Sequence, residues 1–280
     1  MFSFRKPKSV KSRSVRIRTE QNGKLRLLIV EPAERRTDRA GVLWIHGGGY
    51  RTGMASMVYF TRAIDLVEKC GAVVVAPSYT LSIFKPYPAA LLDCHAALVY
   101  MKDHAAELGI RTDRIMVGGE SAGGALTAAL CMYAHDHHSV DIAFQMPLYP
   151  MIDCYDTDSS RDNHEKIWNT RKNHAAWKLY LKGLEGKEIP DYASPSRRKD
   201  YSGLPPCYTF VGDLDPFREE TIAYVKALND AGVEAQVDVY ENWYHAYDIY
   251  HPKKEDSKDA AEKLMEHFQA AFENSKLTSL

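Results

Sequence analysis

The sequence predicts an α/β fold, in which a mostly parallel central sheet is flanked by helices and begins with an antiparallel pair. Apolar runs typical of buried strands alternate with segments of helical periodicity along most of the chain. Near the start, Asn22-Gly23 separates the two β-like halves of "SVRIRTEQNGKLRLLIVEP". This dipeptide between such runs predicts a tight hairpin, which supplies the antiparallel start. The later alternation predicts parallel strands joined by helical crossovers.

Six later runs are predicted to be strands, and the first two of them are continuous apolar segments typical of buried strands. They are "GVLWIH" (41–46), "GAVVVAPSY" (71–79), "RIMVGG" (114–119), "DIAFQMPLYP" (141–150), "PPCYTFVGD" (205–213) and "AQVDVYE" (235–241). Helices are predicted at 56–70, 87–109, 121–134, 219–232 and 257–272. Gly109 is expected to end the second of these helices.

Residues 153 to 200 interrupt this alternation with a long polar and aromatic segment between two predicted strands. Within it, "HEKIWNTRKNHAAWKLYLKGLEG" (164–186) has helical character. A connection of this length is too long for a simple loop, and we expect it to form a small cap. The predicted organisation is a basic N-terminal tail at 1–14 and one domain at 15–280 that carries the cap.

Composition limits the class of protein. The chain has 280 residues, 45% of them hydrophobic, and a formal net charge of −1, so it can bury a large core but has no overall field to attract nucleic acid. A solvated tail is the usual interpretation of the basic run "MFSFRKPKSVKSRSVRIR", with a nucleic-acid or membrane arm as the alternative. No apolar stretch reaches the roughly eighteen residues of a membrane span. Five cysteines without a C-x-x-C pair indicate reduced thiols and a cytoplasmic protein.

The stretch "RIMVGGESAGGALTAAL" places Ser121 where a predicted strand becomes a helix. Gly119 and Gly123 lie two residues to either side, giving the pattern G-x-S-x-G. A nucleophile exposed at such a turn requires a sharp backbone, and a Cβ at either flank would collide with the neighbouring strand or helix. A helix N-terminus also favours developing negative charge. We therefore interpret Ser121 as a nucleophile.

A serine nucleophile requires an oxyanion site, an orienting acid and a base. The run "WIHGGGYRTG" (44–53) follows a strand, and its glycines would allow two N–H groups to point at one oxygen, with a flexible turn as the alternative. Asp213 and Asp215 follow the strand "CYTFV" and are candidates for the acid, although either could cap the next helix. His245 follows the last predicted strand and is the candidate base. The order serine, aspartate, histidine is typical of this arrangement.

The other histidines fit the role of base less well. His46 precedes the glycine run and is expected to orient that loop. His135, His137 and His138 are interpreted as a solvated surface, because no carboxylate or cysteine has the spacing of a metal site. The sequence also has no phosphate loop and no dinucleotide fingerprint, so no cofactor is predicted.

Four blocks of the sequence together resemble the hormone-sensitive-lipase-like esterases, a family within the α/β-hydrolase fold. They are "HGGGY" (46–50), "GGESAGG" (118–124), "GDLDPFREE" (212–220) and "NWYHAY" (242–247). The likeness runs from about residue 25 to 272 and includes "YPAALLDCHAAL" and "YSGLPP". The resemblance implies a serine carboxylesterase with the α/β-hydrolase fold and a small-molecule ester as substrate. It also implies a possible homodimer or higher homo-oligomer, because family members often pair through a sheet edge or the cap.

The resemblance also implies a role for each matching residue. Ser121 would attack the ester carbonyl, His245 would transfer the proton, and Asp215 would hold the imidazole in the right tautomer. Asp213 would then be a supporting or capping residue. The oxyanion donors would be the N–H groups of Gly47, Gly48 and Ala122. The chain reads "DPFREE" and "HAY" where the family often has "DPLRDE" and "HGF", and the few residues before its first strand imply a small cap.

A small cap predicts an open, shallow acyl pocket and therefore short acyl chains, from acetyl to about hexanoyl. Aromatic residues are predicted to narrow its mouth, with core or lid packing as the alternative: Tyr50, Trp168, Trp177 and Tyr244. An amidase or peptidase with the same triad remains an alternative function. A non-catalytic receptor on this fold is a weaker one, because His245 is in place.

Overall fold

The computed structural model describes residues 7–19, 23–34 and 37–274, and its centre is one eight-stranded sheet. The strands are β1 (Val10–Thr19), β2 (Gly23–Pro32), β3 (Arg39–Ile45), β4 (Val73–Pro77), β5 (Ile110–Glu120), β6 (Phe144–Leu148), β7 (Cys207–Gly212) and β8 (Ala235–Tyr240). Across the sheet their order is β1-β2-β4-β3-β5-β6-β7-β8. β2 is antiparallel to both of its neighbours, and the other adjacent strands are parallel. The predicted fold class is confirmed.

The antiparallel start is the predicted hairpin. Thr19 pairs with Gly23 at its closed end, and Gly23 has a φ of 80°, which glycine adopts without steric cost. Asn22 lies outside the described residues, as do residues 1–6 of the predicted tail. The predicted end of that tail at residue 14 is wrong, because β1 begins at Val10 and residues 10–14 pair with β2. Basic side chains are common on edge strands, where they disfavour pairing with other chains.

Helices connect the strands and cover both faces of the sheet. They are α1 (Arg62–Cys70), α2 (Ala89–Asp103), α3 (Ala105–Leu108), α4 (Ala122–Asp136), α5 (Thr170–Tyr180), α6 (Arg218–Asp230), α7 (Tyr247–Tyr250) and α8 (Glu255–Asn274). The helix predicted at 87–109 is divided into α2 and α3 at His104, and Gly109 ends it with a φ of 65°. The first part of the helix predicted at 56–70 is a 3-10 turn, Ala55–Tyr59. No helix within the described ranges is both long and apolar enough to span a bilayer.

The core lies on both faces of the sheet. Every residue of β3, β4, β6 and β7 is buried, as expected for parallel strands covered by helices on both sides. One apolar cluster includes side chains of α2, α4 and α6, and the other includes side chains of α1 and α8. Because the carboxyl ends of parallel strands meet at one edge, the loops after β3, β5, β7 and β8 are neighbours.

The connection from β6 to β7 contains the region predicted as a cap. It forms α5 and a short 3-10 turn, Pro195–Arg197. α5 is shorter than the predicted helical stretch because Asn169 caps its first turn, where the Asn169 side chain accepts a 3.1 Å hydrogen bond from Lys172 N. At its other end, Tyr180 stacks on Tyr50 with ring centroids 3.8 Å apart. This contact attaches α5 to the loop that follows β3.

Candidate active site

Ser121 occupies the turn between β5 and α4. Its φ of 59° and ψ of −120° are rare for a residue with a side chain and mark a strained turn. A Cβ on Gly119 would lie 2.4 Å from Ile45 O, and a Cβ on Gly123 would lie 2.0 Å from the same oxygen. The predicted need for glycine at both flanks of Ser121 is confirmed.

Three side chains from separate loops meet at this turn. His245 Nε2 lies 2.9 Å from Ser121 Oγ, and His245 Nδ1 lies 2.8 Å from Asp215 Oδ2. The side chains are almost fully enclosed, with Ser121, His245 and Asp215 exposed by 6%, 3% and 0%. The second oxygen of Asp215 accepts a 2.9 Å hydrogen bond from Phe217 N. Because a carboxylate only accepts, Nδ1 carries the imidazole proton and Nε2 is left to accept from the serine hydroxyl.

Asp213 has a different contact. Its Oδ1 accepts a 3.1 Å hydrogen bond from Trp243 N, two residues before His245. The Asp213 carboxylate is therefore bonded to the backbone of the loop that carries His245, whereas Asp215 bonds the imidazole itself. The geometry favours Asp215 over Asp213 as the partner of His245, as the resemblance implied.

The glycine loop after β3 passes beside the serine. A Cβ on Gly47 would lie 3.3 Å from Ser121 Cβ. The Gly47 N–H, however, points to Glu120 Oε1 at 3.4 Å, which argues against the prediction that it is an oxyanion donor. Within the described chain, the N–H groups of Gly48 and Ala122 donate to no protein acceptor. These two remain available to a ligand.

Glu120 links the glycine loop to the turn that carries Ser121, a role that sequence reasoning missed. Its Oε2 accepts a 2.6 Å hydrogen bond from Trp44 Nε1, while Oε1 faces Gly47 N. Burial raises the pKa of Glu120 to about 8, so the side chain is mostly uncharged at pH 7. A neutral acid holds the loop without placing a negative charge beside Ser121.

His46 supports the same loop from its other side. Its Nδ1 lies 2.8 Å from Gly47 O, and its ring stacks on Tyr79 with centroids 4.1 Å apart. Burial lowers the pKa of His46 to about 4, so it is neutral and donates from Nδ1 to the carbonyl. This agrees with the prediction that His46 orients the loop and takes no proton.

Two of the four aromatic residues predicted at the mouth lie in the core instead. Tyr50 and Trp177 are 1% and 4% exposed, and both rings pack near Tyr180 of α5. The prediction that they narrow the mouth is wrong, because large aromatic surfaces gain most by burial between α5 and the sheet. These two residues pack in the core, which was the alternative interpretation of the aromatic residues.

The other two aromatic residues are half-buried at the site. The ring of Trp168 lies 6.2 Å from that of His245, measured between centroids. The Tyr244 hydroxyl lies 2.5 Å from His251 Nε2. Of these two residues, Trp168 is the one that lies beside the His245 imidazole.

Sequence reasoning also missed a buried polar cluster that lies behind the His245 imidazole. The Tyr149 ring packs edge-on against His245 at a centroid distance of 5.1 Å, and its hydroxyl donates to Asp248 Oδ1 at 3.0 Å. Arg62 Nε lies 3.3 Å from Asp248 Oδ2. The only available signal was the position of Asp248, three residues after His245.

Elsewhere, no group of three or more His, Cys, Asp or Glu residues in the described ranges has the geometry to hold a metal ion.

Known proteins resemble this chain in sequence and in fold. A family described as having the alpha/beta hydrolase fold matches residues 42–249. Esterase LipI of Mycobacterium tuberculosis (strain ATCC 25618 / H37Rv) is 31% identical over 208 residues, which cover 74% of this chain and 65% of LipI. Carboxylesterase NlhH of Mycobacterium tuberculosis (strain CDC 1551 / Oshkosh) is 31% identical over 212 residues, covering 74% of this chain and 66% of NlhH.

Among solved structures, a bacterial heroin esterase superposes with a TM-score of 0.90 at 31% identity, covering 97% of this chain and 86% of that one. The chain matches slightly less than two thirds of the length of the two curated relatives named above. The family match itself extends from β3 to α7 and includes all the loops of the site. This chain belongs to the hormone-sensitive-lipase-like family of the α/β-hydrolase fold.

Proposed function

We propose that this protein is a serine carboxylesterase that hydrolyses short-chain esters through an acyl-enzyme. The observation that carries the proposal is the continuous hydrogen-bonded path from Asp215 through His245 to Ser121. Relatives and structural neighbours named as esterases support the same reaction class.

In the proposed mechanism, Ser121 Oγ attacks the ester carbonyl carbon while His245 Nε2 takes the hydroxyl proton. The carbonyl π electrons move to oxygen, which becomes the oxyanion of a tetrahedral intermediate. When the intermediate collapses, the bond to the alcohol oxygen breaks and His245 returns the proton to that oxygen. Water, activated by the same imidazole, then hydrolyses the acyl-enzyme. Asp215 stabilises the imidazolium in both halves of the reaction.

The N–H groups of Gly48 and Ala122 are the proposed oxyanion donors. Their freedom from protein acceptors supports this role, and each donor of this kind contributes about 3 kcal/mol to lowering the barrier. The neutral state of Glu120 leaves the oxyanion without a repelling charge nearby.

We further propose that the 153–200 segment acts as a small cap and that the preferred acyl groups range from acetyl to about hexanoyl. The low exposure of Ser121 favours small acyl groups.

A series of nitrophenyl esters tests both parts of the proposal. The acetate and butyrate should be hydrolysed with higher kcat/KM than the decanoate. A preference for decanoate would overturn the short-chain proposal but not the triad. Acetyl nitroanilide, the matched amide, should be a far poorer substrate. Faster cleavage of the anilide than of the ester would favour the amidase alternative.

A further inference from the structure

Trp168 lies between the glycine loop and the catalytic imidazole. A Cβ built on Gly49 would be 2.3 Å from Trp168 Cη2, so the indole rests directly on the loop backbone. The Trp168 ring centroid is 6.2 Å from that of His245 and 6.4 Å from that of Phe217. Trp168 is half-buried, so it is packed in part and exposed in part.

The loop that carries this indole is bonded to the 213–219 loop, which contains the acid of the triad. Ser159 Oγ donates a 2.9 Å hydrogen bond to Pro216 O and accepts a 3.2 Å hydrogen bond from Glu219 N. Asn163 Nδ2 donates to the same loop at 3.1 Å. These bonds anchor the segment that leads to Trp168 beside the loop of Asp215, so the indole should need little ordering when a ligand binds.

The position of His245 identifies the part of the substrate that the indole meets. His245 Nε2 must come within hydrogen-bond reach of the leaving alcohol oxygen in order to return its proton. A group attached to that oxygen extends from the imidazole by one or two bonds. Because the indole lies beside the imidazole, an alcohol with a ring close to its oxygen would contact Trp168.

We propose that Trp168 determines alcohol specificity and selects esters whose leaving alcohol carries an aromatic ring. A flat π-system can stack on a face or edge of the indole, whereas a saturated ring of the same size gains only apolar contact. This inference depends on the proposed esterase function and adds the class of alcohol to it.

Two acetate esters isolate the aromatic contribution. Benzyl acetate and cyclohexylmethyl acetate have the same acyl group, and their alcohols are similar in size and leaving ability. The wild-type protein should prefer benzyl acetate in kcat/KM by about two- to tenfold, the range expected of an aromatic pair. Ethyl acetate, whose alcohol is too short to reach the indole, serves as the reference substrate.

Variants at Trp168 should change the ratio of the two rates. Trp168→Leu should bring the benzyl-to-cyclohexylmethyl ratio close to one and should lose more activity on benzyl acetate than on ethyl acetate. Trp168→Phe should keep a preference for benzyl acetate. The matched control is Tyr155→Leu, which removes an exposed aromatic ring of the same segment that packs on Arg197, and it should retain the wild-type ratio.

Three results would overturn the inference. The first is an equal ratio in wild type and Trp168→Leu, and the second is an equal loss by Trp168→Leu on all three acetates, which would indicate a structural role alone. The third is a change in the ratio of methyl phenylacetate to methyl cyclohexylacetate instead, which would place the indole at the acyl group. If the wild-type protein hydrolyses none of these esters, the proposed function itself fails and the inference falls with it.

Discussion

His245 Nε2 lies 2.9 Å from Ser121 Oγ, although 124 residues separate the two in the chain. The sheet explains how residues so far apart in the sequence come into contact, because β5 and β8 run parallel and their carboxyl ends lie at the same edge. The turn after β5 holds the serine, and the loop after β8 holds the histidine.

The two aspartates after β7 should differ in their effect on catalysis. Asp215→Asn should lower kcat by about 10⁴-fold, because an amide would favour the wrong imidazole tautomer. Asp213→Asn should cause a much smaller loss, because the amide oxygen can still accept from Trp243 N. Steady-state kinetics on a short-chain ester would measure both. Equal losses would mean that the aspartate assignment is wrong.

Glu120 should make the protein less stable as the pH rises from about 4.5 to about 8. Its folded pKa of about 8 exceeds the ordinary glutamate value of 4.5, so in this window the folded state binds more protons than the unfolded state. The stability that this difference contributes is fully present below pH 4.5 and is lost as the pH rises through about 8. Glu120→Gln should flatten the pH dependence of the unfolding free energy by up to about 1.4 kcal/mol per pH unit.

Urea unfolding of wild type and Glu120→Gln at several pH values between 5 and 8 would measure that difference. A buried acid that does not interact with Glu120, such as Glu220, contributes equally to both proteins and cancels in the comparison. Parallel curves for the two proteins would show that Glu120 ionises normally in the fold.

Glu220 should be needed for stability as a hydrogen-bond acceptor and not as a charge. Its Oε1 accepts from the N–H groups of Ile152 and Asp153 at 2.6 and 3.1 Å, and burial raises its pKa well above 4.5. Glu220→Ala would leave two amides without an acceptor and should cost about 3 kcal/mol of unfolding free energy. Glu220→Gln keeps an acceptor and should cost much less. Chemical denaturation that finds the two variants equally stable would contradict this explanation.

The meeting of Ser121, His245 and Asp215 could be predicted from sequence because each of them follows a segment with a readable strand pattern. Ser121 has flanking glycines, Asp215 follows an apolar run, and His245 follows the segment "AQVDVYE", in which apolar and polar residues alternate. Parallel strands bring such positions to one edge whatever the distance along the chain. The local pattern around each residue was therefore sufficient to predict that the three side chains meet.

Contacts that depend on the path of a loop were not predictable in this way. The Gly47 N–H points to Glu120 and not into the site, because the loop turns across the end of β5. Tyr50 was expected at the mouth but is covered by Tyr180 of α5, whose position no local pattern specifies. β1 begins earlier than expected because pairing with β2 outweighs the basic, polar composition of its first residues.

Covalent trapping tests the central claim most directly. A nitrophenyl alkylphosphonate mimics the tetrahedral intermediate and phosphonylates an activated serine with loss of nitrophenol. Mass spectrometry should find one adduct, on the peptide that contains Ser121, and inhibition should be complete when labelling is complete. Ser121→Ala should remain folded, take up no label and lose about 10⁶-fold in kcat. Labelling at another residue, or ester hydrolysis by Ser121→Ala at the wild-type rate, would contradict the account.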